Sequence, residues 1–184
     1  MKIRVILPLG IFSALFMTLG LAQKPVHWDV TGSVTLLGRD METGVSEGVI
    51  GICGGKGTFG NHTCNTFVRS QMVGFDTELC PGLPEYRWDV YSHIQRFPNG
   101  DLLYQRLKPG GSNYMCADPF VENRFWGMIS TEIVGGTGRF ESATGEVQWE
   151  IVQGDFLDFD PVTGSAAFAG IVTELDGYIL LNGD

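Results

Sequence analysis

The stretch GGTGRFESATGEVQW, residues 135–149, decides the fold class of this chain. Three glycines within its first four residues are typical of a tight reversal in which the backbone adopts positive φ angles. Phe140 is an isolated large apolar residue between that turn and the next turn signal at Gly145. From Gly145 through Trp149 and beyond, apolar residues alternate with polar ones, which is the period of a strand with one buried face. The stretch therefore predicts a strand, a glycine turn, a buried phenylalanine and a second strand.

The same alternation recurs between the glycines, of which the chain has 26. Clear examples begin at Trp28, Tyr86, Arg124 and Ala166, each in a run rich in β-branched and aromatic residues. No window after residue 22 combines a 3.6-residue period with helix caps. This rhythm predicts an all-β domain with roughly eight strands in hairpin order. Because a closed barrel leaves no unpaired edge strands, we expect a single eight-stranded antiparallel β-barrel.

The first 22 residues have the composition of a secretory signal peptide. Lys2 and Arg4 form a basic start, an apolar run follows from Val5 to Leu19, and small residues precede Gln23. This order predicts cleavage after residue 22 and a secreted or periplasmic protein, with residues 23–184 forming the β-barrel domain. The alternative is an uncleaved membrane anchor, because the apolar run is close to the length of a spanning helix.

The charge of the predicted mature chain limits the classes of partner. The signal segment contains two of the 12 basic residues and none of the 21 acidic residues, so the remainder has a net charge of −11. A strongly acidic chain disfavours nucleic acid and anionic membrane surfaces as partners. No second apolar run is long enough to span a bilayer. We therefore expect no nucleic acid partner and no membrane association after signal cleavage.

Four cysteines follow the predicted signal, and an even number in a secreted chain favours two disulfides. Three pairings are open, of which we favour Cys53–Cys64 and Cys80–Cys116. The first would close a glycine-rich segment, residues 54–63, that is predicted to be a flexible loop. A metal site is the alternative, but no CxxC pair is present and the spacings match no common zinc pattern. The sequence therefore predicts no metal and no cofactor.

The glycine-turn segment resembles the corresponding segment of the allene oxide cyclase and dirigent β-barrel superfamily. The run Phe168–Ile171 before the final strand is similar to the C-terminal hairpin of that superfamily. The resemblance implies an eight-stranded antiparallel barrel, a homo-oligomer in the form of a trimer, and relatives that guide cyclisation or radical coupling in an apolar cavity. The acidic catalytic residues of the enzymes have no match in this chain, so its catalytic residues stay unknown. The structural motif carried over consists of Gly135, Gly136, Gly138, Phe140 and Gly145.

Successive side chains of a strand point to opposite faces, and this alternation, or strand parity, selects candidate residues for the wall of a cavity. The interior of an eight-stranded barrel holds packed side chains or one small ligand. A slip of one residue in the register would exchange the two faces of a strand. The same parity places His93 on the solvent side of its strand, and Phe140 is expected to plug one end of the barrel. The candidate ligand-binding residues are Trp28, Val30, Tyr86, Trp88, Val90, Trp126 and Trp149.

Three functions are compatible with such a barrel. The first is binding of a small apolar molecule in the interior, without catalysis. The second is a cyclase, isomerase or dirigent-type enzyme that acts in the cavity. The third is a noncatalytic structural or interaction protein whose barrel is filled with side chains. An open interior favours the first two, and a buried carboxylate or tyrosine in that interior favours the enzyme. The sequence favours a protein that is not an enzyme.

Overall fold

The computed structural model describes residues 23–40, 42–118, 121–160, 162 and 166–181. The predicted signal peptide, residues 1–22, lies outside this part of the chain. The described residues form an all-β, closed antiparallel barrel, with no helix long and apolar enough to cross a membrane. The strands are β1 (Gln23–Pro25), β2 (Trp28–Arg39), β3 (Ser46–Gly57), β4 (Gly60–Phe75), β5 (Pro84–Arg96), β6 (Leu102–Leu107), β7 (Asn113–Asp118), β8 (Arg124–Gly136), β9 (Thr144–Phe159) and β10 (Ala166–Leu180).

The described residues contain ten strands, so the predicted number of eight is wrong. Two of the positions around the barrel are each shared by two strands. Strands β1 and β2 pair with the same side of β10, and strands β6 and β7 both lie between β5 and β8. The break between β6 and β7 contains Pro109, which has no N–H to donate to a β-ladder. The ten strands therefore occupy eight positions around the ring.

Residues 54–63, predicted to be a flexible loop, instead belong mostly to the ends of β3 and β4. Gly57 pairs with Gly60 across a tight hairpin turn, and pairing continues along both strands. The glycines of β3 make room for neighbouring side chains. A Cβ atom on Gly57 would overlap the Trp28 ring, and one on Gly55 would lie 2.9 Å from Nε2 of His62. Glycine here therefore marks close packing inside a sheet, and not a mobile loop.

Both predicted disulfides are confirmed. Cys53 and Cys64 are direct partners in the β3–β4 register, with Cα atoms 4.8 Å apart. Cys80 lies in the connection between β4 and β5 and is bonded to Cys116 of β7, with Cα atoms 5.4 Å apart. The described residues include no free cysteine. Two disulfides fit an extracellular or periplasmic protein, because those compartments are oxidising.

A β-bulge in β5 overturns the predicted orientation of His93. The register with β4 slips by one residue between Trp88 and Val90, which leaves Asp89 as the extra residue. Before the bulge the even-numbered residues face inward, and after it the odd-numbered residues do. His93 is 4% exposed, whereas Ile94, expected on the buried face, is 37% exposed. The inward residues of β5 are Tyr86, Trp88, Tyr91, His93 and Gln95.

One end of the barrel is filled by aromatic rings, as expected for Phe140. This ring is fully buried and lies 4.9 Å from the ring of Phe97 and 5.2 Å from that of Phe59, between ring centroids. The guanidinium of Arg139 covers all three rings at 4.8–5.3 Å. Each phenylalanine comes from a connection between strands at this end. The prediction that Phe140 plugs the barrel is therefore confirmed.

The glycine segment has the backbone that the sequence pattern requires. Gly135 has a φ of +118° and Gly138 a φ of +59°, angles that residues with a Cβ rarely adopt. Gly138 begins a short 3-10 helical turn that ends at Phe140. The reversal thus turns the chain back across the end of the barrel and directs the phenylalanine ring inward.

Candidate functional site

The other half of the barrel encloses a cavity of about 580 Å³. Side chains from eight of the strands form most of its wall, and they are largely apolar. Inward positions supply this wall because successive side chains of a strand point to opposite faces. The apolar wall includes Val30, Val34, Val68, Tyr86, Trp88, Tyr91, Met115, Ala117, Phe125, Ile129, Trp149, Ile151, Phe156, Ala166 and Val172.

Four of the seven predicted wall residues line this cavity: Val30, Tyr86, Trp88 and Trp149. The other three lie elsewhere, for separate reasons.

Trp28 belongs to the packed end of the barrel. It is fully buried and stacks on Trp149, with ring centroids 5.5 Å apart. Val90 comes directly after the β5 bulge, so its side chain does not point into the barrel. Trp126 lies on the outer face under the guanidinium of Arg124, and the neighbouring Phe125 takes the inward place. Strand parity alone therefore selected the wrong face in β8, and in β5 beyond the bulge.

His93 places a hydrogen-bonding nitrogen in the apolar wall. Its Nδ1 lies 2.8 Å from the Thr66 hydroxyl, whereas its Nε2 is buried and has no hydrogen-bond partner among the described residues. Burial, with a smaller contribution from nearby His62, lowers the pKa of His93 to about 3. The imidazole is therefore neutral at physiological pH. The residue lines the cavity, and one of its two ring nitrogens has no hydrogen-bond partner among the described residues.

A chain of buried polar side chains lies between the cavity and the packed end. The Gln95 amide donates to Nε2 of His62 at 3.2 Å, and the Gln105 amide donates to Oε1 of Gln95 at 3.2 Å. The Thr131 hydroxyl donates to Oε1 of Gln105 at 2.8 Å and accepts from the Trp149 indole at 3.1 Å. Such buried networks rigidify a core when their members are paired. This one fixes the orientation of the Trp149 ring that borders the cavity.

The cavity wall also contains two charged side chains within the described residues, Arg39 and Asp118. Nη1 of Arg39 donates to the Tyr86 hydroxyl at 2.9 Å, and its guanidinium carbon lies 4.6 Å from the centre of that ring. The Asp118 carboxylate accepts the backbone N–H groups of Val121 and Glu122 at 3.0 and 3.2 Å. Both groups come from strand ends remote from the aromatic plug.

The alternation of β2 does not predict that Arg39 faces the cavity. Even-numbered residues such as Trp28 and Val30 point inward along most of the strand, and Arg39 has the opposite parity. The register with β3 is irregular on both sides of Gly38, which brings Arg39 to the inner face. A glycine inside a strand is a sequence signal for such a bulge. For Tyr91 and His93, the alternation contains no comparable signal.

Three residues of types that bind metals lie close together, and two of them, Cys53 and His93, line the cavity. The Sγ atoms of Cys53 and Cys64 and a ring nitrogen of His93 lie within 4.8 Å of one another. The thiolate is the form of cysteine that binds a metal, and these two sulfurs are bonded to each other. The arrangement therefore offers one nitrogen ligand and is not a metal centre while the disulfide is intact.

No protein-family model, curated protein or solved structure matches this chain. The geometry itself defines the class: a disulfide-bonded antiparallel β-barrel, packed at one end and hollow at the other. The resemblance to the allene oxide cyclase and dirigent barrels stays a prediction.

Proposed function

We propose that this protein is a secreted β-barrel that binds one small apolar molecule in its cavity. The observation that carries the proposal is the apolar space of about 580 Å³, whose wall includes His93 with a buried Nε2 that has no hydrogen-bond partner among the described residues. Small-molecule sites are concave, mostly apolar and about 300–1,000 Å³ in volume, with a few polar groups that orient the ligand. Buried polar atoms in proteins are nearly always hydrogen-bonded. A ligand with an apolar body and a polar atom facing His93 would satisfy both features.

A structural protein with a filled barrel accounts less well for this interior. The packed end shows that the chain has enough large side chains to fill a layer of the barrel, as Phe59, Phe97 and Phe140 do there. The cavity half uses smaller residues at several inward positions, including Gly51 and Ala117. A void without a ligand loses dispersion contacts along its whole wall. An occupant of the cavity would restore them.

A cyclase, isomerase or dirigent-type enzyme is the second candidate, favoured by the tyrosines Tyr86 and Tyr91 in the cavity wall. The titration of the inner groups argues against general acid–base catalysis by them. Burial raises the pKa of Tyr91 and lowers that of His93, and both shifts lead away from neutral pH. Efficient acid–base catalysts have pKa values near the working pH. Binding therefore accounts better than proton transfer for these two side chains.

The proposal includes membership of the allene oxide cyclase and dirigent-like barrel superfamily and assembly as a homo-oligomer, with a trimer as the expected form. The eight positions of the ring and the inserted Phe140 support it. Mass photometry of the secreted protein tests the assembly, because a trimer of the mature chain has three times the mass of a monomer. A monomer at all concentrations would remove this part of the proposal and leave ligand binding unaffected.

Binding is tested with Nile red, an uncharged apolar dye whose emission rises in an apolar environment. We expect saturable binding of one dye per chain, quenching of tryptophan fluorescence through Trp88 and Trp149, and a higher melting temperature by mass action. Val68→Phe should reduce binding because Val68 lines the cavity. Val152→Phe is the matched control, since Val152 is 56% exposed. Absence of dye binding, or equal binding by both variants, would contradict the proposal.

A further inference from the structure

The far end of the cavity from the plug contains a cation without a neutralising partner among the described residues. Arg39 is partly buried, and its described polar partner is the Tyr86 hydroxyl at 2.9 Å. Its Nε is enclosed by the protein and has no hydrogen-bond partner in the part of the chain that the structure describes. Charged side chains are rarely buried unless they are paired. A partly buried guanidinium with no carboxylate partner among the described residues is therefore an unusual feature of an apolar wall, and a bound anion would neutralise it.

The nearby carboxylate does not supply that anion. Asp118 lines the same cavity, but its two oxygens accept the N–H groups of Val121 and Glu122 in the turn that follows β7. Asp118 thus closes its own turn, and it forms no ion pair with Arg39. The neutral His93 supplies no charge either. Within the described wall of the cavity, Arg39 is left as the charged group available to a ligand.

The contacts of Arg39 leave one side of its guanidinium for an anion. Tyr86 holds the guanidinium through Nη1 and through its ring face, 4.6 Å from the guanidinium carbon. Nε is enclosed by the protein, so Nη2 is the remaining guanidinium nitrogen that can donate to an oxygen of a carboxylate. The side chain is held in place by Tyr86 before any ligand arrives, so less rotamer entropy is lost on binding.

We propose that Arg39 binds the carboxylate of an amphipathic ligand whose apolar body fills the cavity. This inference rests on the proposed function and adds the chemical class of the ligand, a monocarboxylic acid with an apolar chain or ring. Arg39 acts as a specificity residue, because an uncharged apolar molecule leaves its positive charge without a neutralising partner. The carboxylate lies at the open half of the barrel, and the apolar body extends towards Trp149 and His93.

Decanoic acid and decanol are a matched pair of probes, since they differ in the head group and share the apolar chain. Both are titrated at neutral pH below the concentrations at which they self-associate, by displacement of Nile red. We expect wild-type protein to bind the acid at least about tenfold more tightly than the alcohol, as for a hydrogen bond to a charged group. Equal affinities for the two probes would overturn the inference without needing any variant.

Substitutions then assign the preference to Arg39. Arg39→Met should lower affinity for the acid by about tenfold and change affinity for the alcohol by less than about twofold. Arg39→Lys should give an intermediate preference, because lysine keeps the charge and loses the planar fork. Arg69→Met is the control, since Arg69 is an exposed partner of Asp89 on the outer surface. It should bind both probes like the wild type.

The outcomes separate the inference from the proposed function. If Arg39→Met lowers affinity for acid and alcohol equally, the residue has a structural role and the inference is wrong. If Arg39→Lys and Arg39→Met both keep the wild-type preference for the acid, Arg39 is not the carboxylate site. If neither decanoic acid, decanol nor Nile red binds to the wild type, the proposed function itself fails.

Discussion

The two halves of this barrel share the same strands and differ in what fills them. At one end, Phe59, Phe97 and Phe140 enter from three connections and pack against one another, in the same hydrophobic cluster as the fully buried Leu103. In the other half, a cavity of about 580 Å³ remains among residues such as Val68. A barrel with eight strand positions can therefore be filled with side chains in one half and hollow in the other. The side chains contributed by the connections decide which half is filled.

The boundary between the halves is polar. The hydrogen-bonded series from His62 through Gln95 and Gln105 to Thr131 separates the aromatic plug from the cavity and ends at the Trp149 indole. Trp149 stacks on Trp28 on the packed side and borders the cavity with its other surface. A network of this kind holds the cavity floor in one conformation, so a ligand would meet a wall that is already ordered.

The largest expected effect comes from truncating a ring in the packed half. Phe140→Ala should lower the free energy of unfolding by about 3–5 kcal/mol, because it removes a fully buried ring from a close-packed cluster. Phe156→Ala is the comparison in the cavity half, where the ring faces an existing space and loses fewer contacts. Chemical denaturation of both variants measures the difference. If Phe156→Ala is as destabilising as Phe140→Ala, the two halves do not differ in packing.

The second effect is a loss of stability in acid that depends on His93. The pKa of this residue is about 3 in the folded protein, against an ordinary value of 6.5. Below pH 6.5 the His93 imidazole therefore takes up a proton in the unfolded chain, whereas in the folded chain it stays neutral until the pH approaches 3. The free energy of unfolding is therefore unaffected by His93 above pH 6.5 and falls progressively as the pH is lowered towards 3. Between about pH 6 and pH 4 the contribution to the loss should be about 2–3 kcal/mol.

Substitution of His93 tests whether this residue causes the loss of stability in acid. His93→Gln should flatten the decline of unfolding free energy between those pH values, because the buried imidazole is gone. Burial also lowers the pKa of His62, which contributes in the same direction and remains in that variant. His27→Gln is the control, as the His27 side chain is 69% exposed. Parallel curves for the wild type and His93→Gln would show that His93 does not titrate as its burial requires.

The smallest effect compares the two disulfides. Cys80 and Cys116 are 36 residues apart in sequence, and Cys53 and Cys64 are 11 apart. The loop-entropy relation gives about 1 kcal/mol more stabilisation for the longer loop. Replacing Cys80 and Cys116 together by alanine should therefore lower the unfolding free energy by about 1 kcal/mol more than the same replacement of the other pair. The reverse order would mean that packing around Cys53–Cys64, beside the cavity, outweighs chain entropy.

Several features of the fold follow from local sequence. The glycine turn, the burial of Phe140 and both disulfide pairs are predicted correctly, because each depends on a short-range chemical requirement. Gly135 and Gly138 adopt positive φ angles that favour glycine, and an isolated phenylalanine beside such a turn has few ways to avoid water. Wrong predictions begin where alternation is extrapolated along a whole strand. A single bulge at Asp89 reversed the faces of His93 and Ile94.

The amino-acid pattern alone was enough to predict an antiparallel barrel with two disulfides and a plug at Phe140. Its alternation of apolar and polar residues and its turn glycines are local properties that need no knowledge of distant partners. Only the tertiary structure decided which residues meet inside. Arg39 and His93 reach the cavity because bulges in β2 and β5 shift their register against β3 and β4. The physical reason is that a side chain's face depends on strand pairing, which joins residues far apart in the chain.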